Sequence, residues 1–309
     1  MSGKNAEVHD GLFRFNRIKP LTNVLTSGLF IVLALMTFLP LVFVFIISIS
    51  SEASIAQYGY SFIPHELSTK AYDYLAQSTD YIGRAFINSI FITVSGTALG
   101  LVLIGTMGYA VSRPNFYLRK FYTILIFIPM LFGGGLVATY MVNTQLYGLK
   151  NTYWALILPG ACSSFYIIIM RTFFQTTVPD SIIESGKIDG ASQLRIFIQL
   201  VIPISLPVIA TIGLFLTFNY WNAWYGAMLY CSTNRRDLYP LQYVLISIER
   251  NLEFLTKNEQ YITGASKVDL PNETIRMAIV MIVVLPIACS YPFFQRYFIS
   301  GLTIGAVKG

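Results

Sequence analysis

The sequence is poor in charge, in histidine and in cysteine. Of its 309 residues only 12% are Asp, Glu, Lys or Arg, about half the share in a soluble domain. His9 and His65 are the only histidines, and both lie outside the apolar runs. A metal site or a nucleophile–base pair at membrane depth therefore lacks its usual residues. Cys162, Cys231 and Cys289 are scattered, at no spacing that suggests zinc or a disulfide framework, and are read as small apolar residues. No Gly-x-x-x-x-Gly-Lys-Ser/Thr loop is present to cradle phosphates. No internal repeat is visible. An enzyme is not expected, and neither is a cofactor or metal bound by this chain.

What is abundant is apolar sequence: 55% of the residues, with a mean hydropathy of +0.61. Six runs, at 24–49, 86–111, 122–142, 152–170, 205–230 and 277–297, approach or reach the ~20 residues needed to span a bilayer as helix. The expected fold class is an all-α integral membrane protein with six transmembrane helices. The first five runs contain no charged residue, and the sixth has none from Met277 to Gln295. Ion-coupled transporters and proton pumps place carboxylates, His or Lys inside the bilayer, so that class is disfavoured. The first run is too long for a signal-peptide core, and no cleavage is expected.

Orientation follows from Lys and Arg. With the N-terminus inside, the inner segments hold twelve Lys/Arg against five Asp/Glu, and the outer ones nine against ten. The inner side carries +7 and the outer side −1, which together give the net +6 of the chain. The basic balance is thus a positive-inside signature and needs no nucleic acid. The expected organisation is a cytoplasmic N-terminal segment 1–20, a membrane domain 21–300 and a cytoplasmic tail 301–309. Residues 11–19 alternate basic and apolar, which suits either a surface-lying segment or a disordered tail. Two outer loops are long, 51–85 and 231–276, the second with a helix expected around 240–256.

Two runs carry polar or flexible features. In 205–230, Asn219, Asn222 and Gly226 share one helical face, beside Trp221 and Tyr225. One reading is an interfacial aromatic belt; the other is a path lining, because amides and aromatic faces suit sugars. In 122–142, Gly133-Gly134-Gly135 is either a notch for close helix packing or a flexing point.

The charged insert between the fourth and fifth runs is the most informative stretch. Val178-Pro179-Asp180-Ser181 is a helix start, with Asp180 or Ser181 as cap. Gly190 is a stop, because a residue without Cβ takes the left-handed conformation cheaply. A second helix from Ala191 carries Leu194, Phe197, Ile198 and Val201 at helical spacing. Pro203 and Pro207 mark its end. Two short helices with a break and an exposed apolar stripe make a docking knob.

The pattern Glu184, Asp189-Gly190-Ala191, Phe197, Pro203, Pro207 resembles the EAA loop of the membrane subunits of bacterial ATP-binding-cassette importers. At the usual Ala-Ala position this chain has Ser185-Gly186, which lowers helix propensity by up to about 1 kcal/mol at the glycine. The ending Gln295-Arg296-Tyr297-Phe298 followed by Gly301-Leu-Thr-Ile-Gly305-Ala-Val-Lys308-Gly309 resembles that of carbohydrate-importer permeases of the maltose-permease type. The resemblance implies a type I importer permease fold in a bacterial inner membrane, with both termini cytoplasmic. It implies that 178–203 is a cytoplasmic coupling loop and that Gly301, Gly305 and Lys308 touch the ATPase pair. It implies partners too: a second homologous permease, two ATPase subunits that bind ATP and Mg, an extracytoplasmic solute-binding protein, and a sugar or oligosaccharide as cargo. The alternatives are the same architecture with a non-sugar cargo, or a membrane sensor that docks an ATPase without transport.

Overall fold

The computed structural model describes residues 20–77, 79–257 and 272–306. Within them the regular elements are helical, apart from an isolated antiparallel bridge between Ser50 and Leu67. In chain order the helices are α1 Pro20–Ser48, α2 Glu52–Tyr58, α3 Lys70–Gln77 and α4 Thr79–Ser112. Then come α5 Arg119–Leu131, α6 Gly135–Met141, α7 Tyr153–Ala161, α8 Ser164–Thr177 and α9 Asp180–Ile188. The series closes with α10 Gln193–Ile204, α11 Leu206–Trp221, α12 Tyr225–Tyr230, α13 Leu241–Lys257 and α14 Asn272–Ala306.

Three helices, α1, α4 and α14, are long and apolar enough to cross a membrane unbroken. The fourth apolar run is α7 plus α8, bent by 46° at Cys162-Ser163, and α10 plus α11 bend by 83° around Ser205. The 122–142 run is interrupted between Leu131 and Gly135. Among the described residues the six expected spans thus correspond to three unbroken helices, two bent pairs and one interrupted run, because hydropathy registers where a chain is apolar and not where its axis turns. α14 runs for 35 residues, about 52 Å at 1.5 Å per residue, well beyond the ~30 Å hydrocarbon core.

The chain divides into two compact units, one of 1–72 with 270–281, the other of 73–269 with 282–309. In the first, α1 is apolar on all sides and buries only Ile47 and Ser48. A helix apolar all round is made for surroundings other than water. Glu52 holds the start of α14: its carboxylate accepts from the Glu273 and Thr274 N–H groups, at 3.0 and 3.1 Å, and from the Thr274 hydroxyl at 3.0 Å. An anion at a helix N-terminus satisfies orphan donors and complements the macrodipole.

In the second unit α4 is the axis of packing. Its Ile92, Ile104, Tyr109 and Val111 share a core with Ile167, Met170 and Phe174 of α8 and Ile212, Leu216 and Tyr220 of α11. The close approach comes from glycines on α4. A Cβ on Gly96 would lie 2.5 Å from the Tyr220 ring, one on Gly100 3.0 Å from the Ala161 carbonyl, and one on Gly108 3.0 Å from Met170. Gly96-x-x-x-Gly100 is a small-residue contact motif of membrane helices. Of the two readings of Gly133-Gly134-Gly135, the packing notch is not formed among the described residues: a Cβ at any of the three meets no atom within 4 Å. That glycine run instead breaks the helix, with Gly135 at φ +77°.

The segment after α12 is tied to α4 by side-chain bonds. The buried Asn88 amide donates to the Asp237 and Tyr239 carbonyls at 2.6 and 3.1 Å, and accepts from the Tyr153 hydroxyl at 2.8 Å. Ser89 accepts from the Leu241 N–H at 2.8 Å. Asn88→Leu strips two carbonyls of their donor, at about 1–3 kcal/mol for each polar group left unsatisfied. The expected result is faster protease cleavage within 233–240 at unchanged membrane insertion. An unaltered cleavage rate would show that Asn88 does not hold this segment.

Candidate functional site

The hook at 180–204 is built on the C-terminal ends of α4 and α8. α9 begins after Pro179, and no side chain caps it. The expected cap, Asp180, is used differently: it accepts from Arg113 Nη1 at 3.1 Å. Arg113 also donates Nη2 to the Phe174 carbonyl at 3.0 Å and Nε to Ser112 Oγ at 2.9 Å, with its guanidinium 5.3 Å from the Tyr109 ring centre. One arginine thus joins the ends of α4, α8 and α9.

α9 stops where expected. Gly190 sits at φ +75°, the Gly190 N–H donates to the Lys187 carbonyl and the Ala191 N–H to that of Gly186. The chain turns back, and Ser192 Oγ accepts from the Arg195 N–H to cap the second helix. Gly186 has a purpose that helix propensity does not register. It is buried, and a Cβ there would lie 3.1 Å from Leu200 and 3.2 Å from Ile196. The glycine lets the two arms of the hook touch.

The apolar stripe of the second arm divides. Phe197 and Val201 are buried, whereas Leu194 is 65% and Ile198 51% exposed. Phe197 lodges between Tyr109 and Phe174, at ring-centre distances of 4.8 and 6.4 Å. The helix widens to a π-turn over Phe197–Val201, a form often found at functional positions. Pro203 lies in the last turn before the 83° bend and Pro207 in the first turn after it. Around the hook's outer surface stand the exposed Glu184, Lys187, Asp189 and Gly190, with Ile188 86% exposed. An ordered projection with apolar tips and a polar rim has the surface character of a protein contact.

The polar face of α11 is resolved into separate roles. Asn219 is exposed and donates to the Tyr166 hydroxyl at 3.2 Å, whose ring stacks on Phe215. It also borders a cavity of about 180 Å3 with Gly160, Tyr220, Gly226 and Tyr230. Asn222 returns its amide to the Phe218 carbonyl at 2.9 Å and accepts from Gln242 at 3.1 Å. Trp221 is buried, edge-on to Phe86, and donates to the Val283 carbonyl at 3.1 Å, so its indole serves packing. Tyr225 is exposed beside Trp224. In the last segment Gly301 and Gly305 belong to α14, which runs on to Ala306. Lys308 lies outside the described residues.

Sequence reasoning missed Arg113, Tyr109 and Phe174, the frame on which the hook rests, because they come from elements far away along the chain. The Gly96-x-x-x-Gly100 pattern was legible as a contact motif. Among the described residues no cluster of His, Cys, Asp or Glu could hold a metal ion.

Comparison with known proteins gives a consistent picture. Residues 96–304 match the family described as binding-protein-dependent transport system inner membrane component. The chain is 37% identical over 289 residues to the polygalacturonan/rhamnogalacturonan transport system permease protein YtcP of Bacillus subtilis, covering 94% of this chain and 99% of that one. Protein LplC of the same organism is 37% identical over 88% of this chain and 90% of its own. Among solved structures, a bacterial ABC transporter involved in the import of the acidic polysaccharide alginate has a chain that superposes with a TM-score of 0.76. The two are 28% identical over 90% of this chain and 96% of that one.

Proposed function

This chain belongs to the family of binding-protein-dependent transport system inner membrane components, and from that premise we propose that it is a permease subunit of an ATP-driven importer of oligosaccharides. The observation that carries the reading is the ordered hook at 180–204, whose apolar tips point away from the core. A chain without a phosphate loop must draw on ATP through a neighbour, and a braced hook is a means of receiving that push. Its partners on this reading are a second permease, two ATPase subunits and an extracytoplasmic binding protein. The hook and both termini lie in the cytoplasm.

The mechanism is a conformational change and involves no bond chemistry in this chain. Closure of the ATPases moves the hook. Through Phe197 and Arg113 the movement reaches α4 and α8, and through the 83° bend it reaches α11. Asn219 on α11, Asn222 at its end and Tyr225 at the start of α12 are the side chains available to hydroxyl-rich cargo. The cargoes of its relatives, polygalacturonan/rhamnogalacturonan and the acidic polysaccharide alginate, favour fragments of acidic polysaccharides as the first class to test.

The experiment is reconstitution of the chain with its partner subunits in vesicles. ATP hydrolysis and uptake are expected to rise together when the binding protein carries an oligouronide. Stimulation only by a non-sugar solute would replace the cargo; hydrolysis without uptake would make the chain a sensor.

A further inference from the structure

A second site lies on the basic side of the bundle, away from the α11 face and separate from the hook's tips. The loop 113–118, the start of α5 and the end of the apolar stretch of α8 enclose an open cleft of about 580 Å3. Phe116, Tyr117, Arg119, Lys120, Thr123 and Arg171 line it, and no carboxylate does. We propose that this cleft binds the anionic headgroup of a phospholipid, with one acyl chain lying along the exposed face of α5.

Three observations converge on that occupant. The first is the state of Arg171. Its Nε is buried and has no hydrogen-bond partner among the described residues, and burial first, then the Arg119 charge, acts against its cation. Two like charges lining one cleft repel, and an unmade bond on a buried charged donor adds to the cost. Arg113, which reaches the same helix α8 at the Phe174 carbonyl, shows how this fold treats a structural arginine: carboxylate, carbonyl and aromatic ring are all supplied. Arg171 is supplied with none of these.

The second observation is the helix start. α5 opens at Leu118 without a side-chain cap, so the positive end of a 13-residue helix adds to the cations in attracting a phosphate. The third is what surrounds the cleft. From its rim Ile124, Ile128 and Leu131 stand exposed at i, i+4 and i+7 on α5, an apolar track one helix face wide. Tyr117 at the mouth is 97% exposed, the placement of an interfacial aromatic. A free phosphate would use the cations and leave the track empty, whereas a phospholipid uses both. The Lys/Arg asymmetry assigns this side to the inner leaflet, where anionic lipids attract basic side chains.

The test is independent of cargo and of hook function. The chain is extracted with its natural partners, passed into mixed micelles of phosphatidylglycerol and phosphatidylcholine, and weighed intact by mass spectrometry. Wild type is expected to retain phosphatidylglycerol over phosphatidylcholine, and Arg119→Gln/Arg171→Gln to lose that preference. Lys120→Gln alone should weaken it, and serves as the milder variant if the double one fails to insert. Equal retention by wild type and Lys120→Gln together with the double variant would overturn the proposal. Release of the lipid by millimolar inorganic phosphate would reassign the cleft to a free anion. Loss of a partner subunit from the Arg119→Gln/Arg171→Gln complex, with lipid binding unchanged, would reassign it to a protein contact.

Discussion

Gly96→Val is expected to insert into the membrane and then fail to form a stable bundle. The side chain of Tyr220 occupies the space that a β-carbon at 96 would take, with three ring atoms 2.5 to 2.7 Å from that position. The ring cannot withdraw. Its other side rests on Gly160, its hydroxyl donates to the Ile157 carbonyl at 2.6 Å, and it is buried in the core. Overpacking of this kind costs about 1–3 kcal/mol or more, and breaking the hydroxyl bond in apolar surroundings adds about 1 kcal/mol. The readout is the thermal midpoint of the purified chain in detergent. It should fall by several degrees, while Gly83→Val, where a Cβ meets nothing within 4 Å, leaves it in place. Volume exchange supplies the decisive control: Gly96→Ala with Tyr220→Leu should recover part of the loss. A Gly96→Val chain as stable as wild type would mean that α4 and α11 do not pack as described.

Glu184→Lys tests the coupling role. Glu184 stands exposed on α9, so its replacement disturbs no core contact and insertion should be normal. On the proposed docking Glu184 becomes one partner of an interfacial charge pair, and removing one partner of such a pair once buried costs about 2–5 kcal/mol, which is well over tenfold in occupancy of the complex. Uptake in reconstituted vesicles is expected to fall at least that far, while the ATPase subunits keep their own hydrolysis. Normal uptake by the variant would remove Glu184 from the coupling surface. Phe197→Ala reaches the same end by another route. It empties the seat between Tyr109 and Phe174, so the hook docks but transmits less, and the two variants differ in whether the ATPase still co-purifies.

How much of this was legible beforehand varies from element to element. Gly190 as a helix stop could be read directly, because a left-handed turn between two amphipathic stretches admits few other residues; its φ is +75°. The apolar, uncharged character of the spans could be read too, since burial in hydrocarbon constrains composition at every position. Neither Asp180 nor Ser181, the two candidate caps, caps α9; capping is a local rule, and Arg113, 67 positions earlier, competes for the Asp180 carboxylate. Gly186 was misread as a weak spot because propensity takes no account of a neighbouring arm.

By itself, then, the order of residues determined that the chain is helical, lies in a membrane and carries a charged insert between apolar runs. Those properties depend on composition and on spacing within a few turns. Only the tertiary structure decided where the helices bend, which face of the hook is free, that the close-packing glycines are on α4 and not at 133–135, and that the buried Arg171 Nε has no hydrogen-bond partner among the described residues. Each of these is a relation between side chains far apart in the chain, set by which surfaces meet once the backbone's hydrogen bonds are made.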